Sequence, residues 1–450
     1  MSDYNVRQLA LDVLVRIGDQ GGYSHLLIDQ LLKKHRLESR DSALLTELVY
    51  GTLQRKLTLS YDLDHFVPAK KKVDRWVKWL IWLTFYQMKY LDRVPDHAAI
   101  HQAVEIAKYK GHKGIANFVN GVLRSAQRQG FPDYQKISEE GKRISVETSH
   151  PEWLVQRWLQ QYGRTITEKM CQINMTHKQI SIRVQPLRIA REELMIRLQA
   201  DGLTVEPSVV SPQGIIVNKG NVLKQKGLAE GLFTIQDESS MLVAELMDLS
   251  PEMTILDACS APGGKATHIA EKMIDQGVIY AYDLHQKKVR LVQQKAELLG
   301  LTSIQTNASD ARMLQTLHQA ETFDRILIDA PCSGLGVLRS KPDIRYHKTE
   351  QDVIQLARIQ GEILEQVEPL LKKGGKLIYS TCTVDKEENE QVIQAFLQQH
   401  ENYQVDPAFF MELPEFLQRS SGRTAYGLQI FPQDLNSDGF FITRLVRADR

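Results

Sequence analysis

The hydrophobic period of this chain changes along its length, and that change limits the folds open to it more than any other feature. Up to about residue 130 the apolar positions recur at helical spacing. Val6, Leu9, Ala10, Val13, Leu14 and Ile17 form one face, and Leu26, Leu27, Leu31 and Leu32 a second. Leu44, Leu45, Leu48, Val49 and Leu53 form a third. Trp76, Trp79, Leu80, Leu83 and Tyr86 form a fourth, in which the tryptophans are expected to pack in a core. Phe131 to Val146 is polar and carries turn signals, so it reads as a linker. Ser149 is then expected to cap a short helix, with Pro151 in its first turn and Trp153, Leu154, Trp158 and Leu159 as its stripe.

From Ile180 the period shortens. Ile180–Val184 alternates like a strand, Arg191–Ala200 like a helix, and Gly214–Val217 like a strand again. After Asp237, β-rich runs recur at Thr254–Ala258, Val278–Tyr282, Ser303–Thr306, Arg325–Asp329 and Lys376–Ser380. Helical stretches separate them, among them Lys287–Leu299 and Asp352–Leu371. The pattern predicts a multidomain chain: an all-α part, a small α+β module, and an α/β domain with a mostly parallel, doubly wound sheet. The expected divisions are 1–140, 141–235 and 236–450. In such a sheet the ligand sits at the carboxyl ends of the strands.

Composition narrows the partners. Residues 1–150 hold 23 Lys+Arg against 17 Asp+Glu, a balance of +6, while the remainder holds 33 against 38. A basic N-terminal third points to a polyanion, and the run Lys70, Lys71, Lys72 with Arg75 and Lys78 is its densest part. The longest apolar stretch, Trp79 to Met88, is far shorter than the ~20 residues of a membrane span. Met1 to Gln20 alternates charged and apolar residues instead of forming a signal peptide, so a cytoplasmic protein is expected. The four cysteines, at 171, 259, 332 and 382, form no CxxC or Cys/His cluster, so neither a zinc site nor a disulfide framework is expected.

The first strand of the α/β region ends in Asp257-Ala-Cys-Ser-Ala-Pro-Gly-Gly-Lys265. Gly263 and Gly264 allow a tight turn and close approach to a ligand, and the amides of the following helix face an anionic group. The spacing is neither GxGxxG nor GxxxxGK[ST], so neither a dinucleotide nor a P-loop is signalled. Asp283 closes the second strand, where a carboxylate accepts ribose hydroxyls. Asp310 is read as ending the third, placed for an adenine amine, and Asp329 closes the fourth. Each alone is an ordinary turn residue; three in order after a Gly-Gly loop favour a nucleoside cofactor.

Asp329-Ala-Pro-Cys-Ser-Gly334 places Cys332 after the fourth strand, and Ser380-Thr-Cys-Thr383 places Cys382 after the next. Two cysteines at neighbouring strand ends suit covalent catalysis on a pyrimidine. C5 of cytosine becomes nucleophilic only after a thiolate adds to C6, and a second group must then help release the product. Cys382, read as close to the start of an acidic helix at Asp385, is a candidate low-pKa thiolate. Spacing alone leaves open which cysteine attacks. The target base must be unpaired or flipped out.

These three motifs resemble the signatures of the RNA cytosine-5 methyltransferase superfamily. Residues 1–130 resemble the helical RNA-binding fold of NusB, with His97-Ala-Ala-Ile-His101 and Asn117-Phe-Val-Asn-Gly121 as family-like stretches. The whole arrangement is similar to the bacterial 16S rRNA cytosine-5 methyltransferase B family (Sun/Fmu type), with Ser260 where an Ala is commoner. The resemblance implies a class I, Rossmann-like catalytic domain using S-adenosyl-L-methionine. Cys259, Ser260, Ala261, Pro262, Gly263, Gly264 and Lys265 would cradle the cofactor and Asp283 its ribose. Asp310 and Asp329 would lie near adenine and the methyl end. It further implies Cys382 as nucleophile, Cys332 as the group assisting release, and Asp329 beside them. The implied substrate is one cytosine of 16S rRNA, cytosine 967, met as naked RNA or early in 30S assembly by a monomer without metal or membrane. A tRNA cytosine-5 methyltransferase is the rival enzyme reading, and the helical extension speaks against it. A non-catalytic RNA-binding assembly factor would lack one or both of Cys332 and Cys382. DNA methylation is disfavoured by the second cysteine.

Overall fold

A computed structural model describes residues 5–20, 24–35, 37–68 and 70–448. The chain divides into two units, one of residues 1–175 with 341–347, the other of residues 176–340 with 348–450.

The first unit is helical: α1 (Val6–Gln20), α2 (Ser24–His35), α3 (Ser39–Gln54), α4 (Lys56–Phe66), α5 (Arg75–Tyr90), α6 (Asp96–Lys110), α7 (Lys113–Gln129), α8 (Glu140–Thr148) and α9 (Glu152–Ile173). The predicted stripes become its core: Ala10, Leu14 and Ile17 of α1 pack with Leu45, Leu48 and Val49 of α3 and with Leu80, Leu83 and Phe85 of α5. Trp79 and Trp82 are buried edge to face, with ring centroids 4.9 Å apart. Met1–Tyr4 and the side chain of Leu26 lie outside what is described. Lys70, Lys71 and Lys72 are exposed.

Two local expectations are corrected here. The stretch read as a linker holds α8, whose buried face includes Ser145 and Thr148 beside Ile144 and Val146. Their hydroxyls donate to the carbonyls of His150 and Ile144, both at 2.6 Å, so a polar sequence builds a buried helix face. Ser149 does not cap the following helix. It takes a left-handed conformation (φ 54°) at the end of α8, its hydroxyl accepts the Leu57 amide at 2.8 Å, and Pro151 precedes α9. The segment Lys341–His347 belongs to this unit through Arg345, whose buried guanidinium donates to the Ser149 carbonyl at 3.2 Å.

The second unit begins with a four-stranded antiparallel sheet of order β2–β3–β1–β4: β1 (Ile180–Val184), β2 (Thr204–Pro207), β3 (Gly214–Lys219) and β4 (Phe233–Ile235). Its helix α10 (Arg191–Ala200) contributes Leu194 and Leu198 to a core with Ile182, Ile215 and Phe233. After α11 (Glu238–Glu245) come β5 (Thr254–Asp257), α12 (Gly264–Lys272), β6 (Val278–Asp283), α13 (Gln286–Leu299), β7 (Ile304–Ala308), β8 (Phe323–Asp329), α14 (Glu350–Val367), β9 (Leu371–Thr381), α15 (Glu390–Gln399), β10 (Tyr403–Val405), β11 (Leu428–Ile430) and β12 (Phe440–Arg447). The eight-stranded sheet runs β10–β12–β9–β8–β5–β6–β7, with β11 also on β12.

The five predicted strands are its parallel core. The antiparallel strands β10–β12 are additional, so the sheet is mixed at one side. The long predicted helix ends at Val367 because Pro369 follows, and β9 opens directly after that turn. The chain enters the sheet at β5, runs outward through β6 and β7, then crosses to β8 and β9. The switch point where a doubly wound sheet binds its ligand therefore lies between β5 and β8.

Candidate active site

Register brings the motifs together. In the parallel pair β8–β9, Asp329 faces Ser380, so the loops that follow both strands leave the sheet side by side. The Ser380 hydroxyl donates to Asp329 Oδ1 at 2.9 Å, and Lys265 Nζ to Asp329 Oδ2 at 2.7 Å. Cys332 and Cys382 meet across the two loops with their Sγ atoms 3.4 Å apart. The Gly336 amide donates to the Cys382 carbonyl at 3.0 Å, and the Gly439 amide to the Gly336 carbonyl at 2.8 Å. Position 336 must be glycine for this approach, since a Cβ there would lie 2.0 Å from the Gly439 carbonyl oxygen.

The electrostatics of the group are uneven. The Cys332 thiol is held well above its ordinary pKa by its hydrogen bond with Cys382 and by burial. Burial alone would lower Lys265, but Asp329 and then Cys382 outweigh it, so the ammonium stays protonated. Lys265 also lies 5.1 Å from the centroid of the Phe440 ring. The helix α15 starts only at Glu390, after a turn, so Cys382 does not lie at the expected helix terminus, and Lys265 is a positive charge that acts on it.

The remaining predicted residues lie around the ends of β5–β7. Gly263 has φ +91° at the N-cap of α12, where a Cβ would also press on Val292 at 3.0 Å from its Cα. Cys259 lies in the loop after β5, its thiol pushed up by burial and the surrounding carboxylates. Asp257 is fully buried, with the Ser260 hydroxyl and the Cys259 backbone beside its carboxylate. Burial and then Asp329 raise its pKa to about 7. Asp283 ends β6 as predicted, whereas Asp310 stands two residues beyond β7 and caps the next turn. Asp310 is held low by Arg312, which donates to it at 2.7 Å. Buried or half-buried carboxylates around a glycine turn and a helix N-terminus suit a ligand that offers hydroxyl, amine and ammonium donors. Ser260, Ala261, Pro262, Gly264 and Lys265 line a cleft of about 220 Å³ together with Asp329 and Cys382.

Three features escaped the sequence reading. Glu388 accepts from the Ser333 amide at 2.8 Å and from Gln360 Nε2 at 3.1 Å, while Gln360 also holds the Pro331 carbonyl at 2.9 Å. One buried carboxyl, raised to about 7 by desolvation, thus ties the Pro-Cys loop to the loop of Cys382. Arg183 of β1 grips Glu271 with two hydrogen bonds of 2.7 and 2.9 Å and donates to the Gly264 carbonyl at 2.7 Å, fixing the start of α12. Lys178 bridges Asp237 and Asp438 in the cleft wall. The acidic run after Cys382 was the visible signal for Glu388; nothing local marks Arg183 or Lys178. Among the described residues no group of three or more His, Cys, Asp or Glu could hold a metal ion, and no helix is long and apolar enough to cross a membrane.

Three family models match stretches of the chain. Residues 244–446 match the model described as 16S rRNA methyltransferase RsmB/F, residues 4–128 the NusB family, and residues 150–223 the ferredoxin-like domain of the RsmF/B-like methyltransferases. The chain is 46% identical over 444 residues to the probable ribosomal RNA small subunit methyltransferase B of Bacillus subtilis, covering 98% of each. It is 37% identical to the probable protein of the same name from Synechocystis, over 99% of this chain and all of the relative. The crystal structure of PH0851 shares the fold with TM-score 0.82 at 24% identity, covering 99% of both chains.

Proposed function

Because the chain belongs to the family of ribosomal RNA small subunit methyltransferase B proteins, we propose that it methylates C5 of one cytosine in 16S rRNA, cytosine 967, using S-adenosylmethionine. The observation that carries the reading is the pair of thiols 3.4 Å apart beside the Lys265–Asp329 ion pair. Methylation of an exocyclic amine needs no thiol, whereas C5 chemistry needs a nucleophile and a second proton-handling group.

When bound, the cofactor supplies an electrophilic methyl group, and the residues from Cys259 to Lys265 with Asp283 and Asp310 would hold it. The protein's own part starts at Cys382, whose thiolate, attracted by Lys265, adds to C6 of the flipped cytosine. The 5,6 double bond breaks and its electron pair makes C5 the nucleophile. Asp329, oriented by Lys265 and Ser380, stands beside the ring to accept hydrogen bonds from it. Cys332 stays protonated while Cys382 carries charge next to it. Once Cys382 is bonded to C6 that repulsion is gone. Cys332 can then lose its proton to solvent and take the C5 proton, and the returning electron pair expels Cys382 as thiolate.

In this reading residues 1–140 and the module of 141–235 bind RNA, and 236–450 carry out the transfer. The protein acts as a cytoplasmic monomer, without a metal, on naked or early-assembling rRNA. The test is to incubate the protein with unmodified 16S rRNA and labelled cofactor, digest to nucleosides, and identify the product. 5-Methylcytidine from a single site supports the reading. A methylated exocyclic amine, or label in tRNA alone, overturns the chemistry or the substrate respectively.

A further inference from the structure

The cleft that holds Cys382 and Asp329 has a second polar wall formed by Gln236, Ser239, Ser240 and Lys295, which the chemistry above does not use. Lys295 projects from α13 and is partly buried. Lys265, Lys178 and Lys272 each sit within ion-pair distance of a carboxylate. Lys295 has no such partner among the described residues, because Glu271, the acid closest to it in charge, is already held by Arg183 at 2.7 Å. Its ammonium and the Gln236 amide converge on one spot. A Cβ on Gly264 would stand 4.0 Å from Lys295 Nζ and 3.9 Å from Gln236 Cδ. The Gln236 amide reaches Ser240 Oγ only at a long 3.4 Å, which leaves donor capacity facing the cleft.

We propose that Lys295, with Gln236 and Ser240, forms a phosphodiester subsite that holds the RNA backbone beside the flipped target base. A cation kept in a protein wall without a counter-ion is matched by an anion that arrives with the substrate, and RNA brings one phosphate per nucleotide. Amide and hydroxyl donors at the same spot suit phosphate oxygens. Burial and the charge of Arg183 bring Lys295 down to about 8, so the contact weakens as pH rises past that value. The inference rests on the RNA reading above.

The test compares wild type, Lys295→Gln and Lys295→Arg as full-length protein, measuring affinity for 16S rRNA across salt and pH and, separately, for S-adenosylhomocysteine. Lys295→Gln is expected to weaken rRNA binding and reduce the log–log salt slope by about 0.7, with the RNA KM rising more than kcat falls. Wild type is expected to lose affinity between about pH 7 and 9, given the usual behaviour of an ammonium titrating near 8, while Lys295→Arg holds it. An unchanged salt slope in Lys295→Gln overturns the subsite. Weakened S-adenosylhomocysteine binding with unaltered rRNA affinity also overturns it, since the anion would then be the cofactor carboxylate. Wild type that binds no rRNA overturns the RNA reading itself, and the subsite with it.

Discussion

Of the largest fully buried side chains, the helical unit holds Trp158, Phe85 and Arg345, and the α/β unit holds Arg183 and Arg444 among a set of aromatic rings. The helical unit does enclose charge, in Asp62 with Lys89 at 2.6 Å and Tyr134, and in Arg345, but its folding follows the apolar stripes. In the α/β unit Arg444 pairs with Asp406 and Glu412, but two other buried charges are joined to loops that carry the site. Arg183 and Glu271 fix the start of α12, and Glu388 ties the Pro-Cys loop. Burying a charge costs several kcal/mol unless it is paired, so its presence under a loop marks a position that packing alone does not fix. The lesson is that hydrophobic burial makes the shape of both units, and the α/β unit adds buried polar bonds that aim particular atoms of its loops.

The sharpest way to break this contrast is to remove one member from each set. Arg183→Ala should destabilise the protein by about 3–5 kcal/mol, because the buried Glu271 loses its only ion-pair partner among the described residues and keeps just the Gln213 amide. Trp158→Ala should cost about as much, roughly 3–5 kcal/mol, through a cavity. Denaturant unfolding separates the two cases: the double change Arg183→Met, Glu271→Leu should regain much of the stability but not the activity. If activity returns with stability, Arg183 only packs, and the contrast fails.

A smaller effect is expected at Glu388. Its carboxyl is raised from 4.5 to about 7 in the folded protein. The folded state therefore holds a proton that the unfolded state has lost, and the stability this gives is complete below about pH 4.5 and disappears as pH rises through 7. Glu388→Gln should flatten that slope in melts taken from pH 4.5 to 8, while reducing turnover because the Pro-Cys loop loses its carboxyl anchor. A slope identical to wild type would show that Glu388 is not the group responsible.

The smallest effect on folding belongs to the exposed Lys70, Lys71 and Lys72. Their reversal to Glu should leave the folding stability within the range of ordinary surface changes, about 0.5 kcal/mol. It should lower rRNA affinity and flatten its salt dependence by about 0.7 per lost contact. An unchanged salt slope would remove this run from the RNA surface.

The contrast also explains what the sequence made legible. Helical stripes such as Leu45, Leu48 and Val49 repeat within a single element, so periodicity alone finds them. The strand-end motifs were equally plain, because a parallel sheet places every strand's carboxyl end on one edge and so gathers Asp283, Asp329, Cys332 and Cys382. The partners of buried charges were not legible. Arg183 and Glu271 stand on elements that meet only after the small sheet has docked, and neither has a local periodic signature. The helix α8 was hidden for a related reason, since Ser145 and Thr148 satisfy their hydroxyls internally and face inward despite their polarity. Strands β10–β12 are short or follow irregular segments, and their pairing with β9 is antiparallel, outside the strand–helix rhythm.

The central claim is that the two adjacent thiols have different tasks, Cys382 attacking and Cys332 releasing. It is tested most directly by incubating wild type, Cys382→Ala and Cys332→Ala with tritiated S-adenosylmethionine and unmodified 16S rRNA, then resolving the products on a denaturing gel. The account predicts no methylation by Cys382→Ala and a stable, labelled protein–RNA band with Cys332→Ala. A trapped band with Cys382→Ala instead would reverse the two roles and contradict the account.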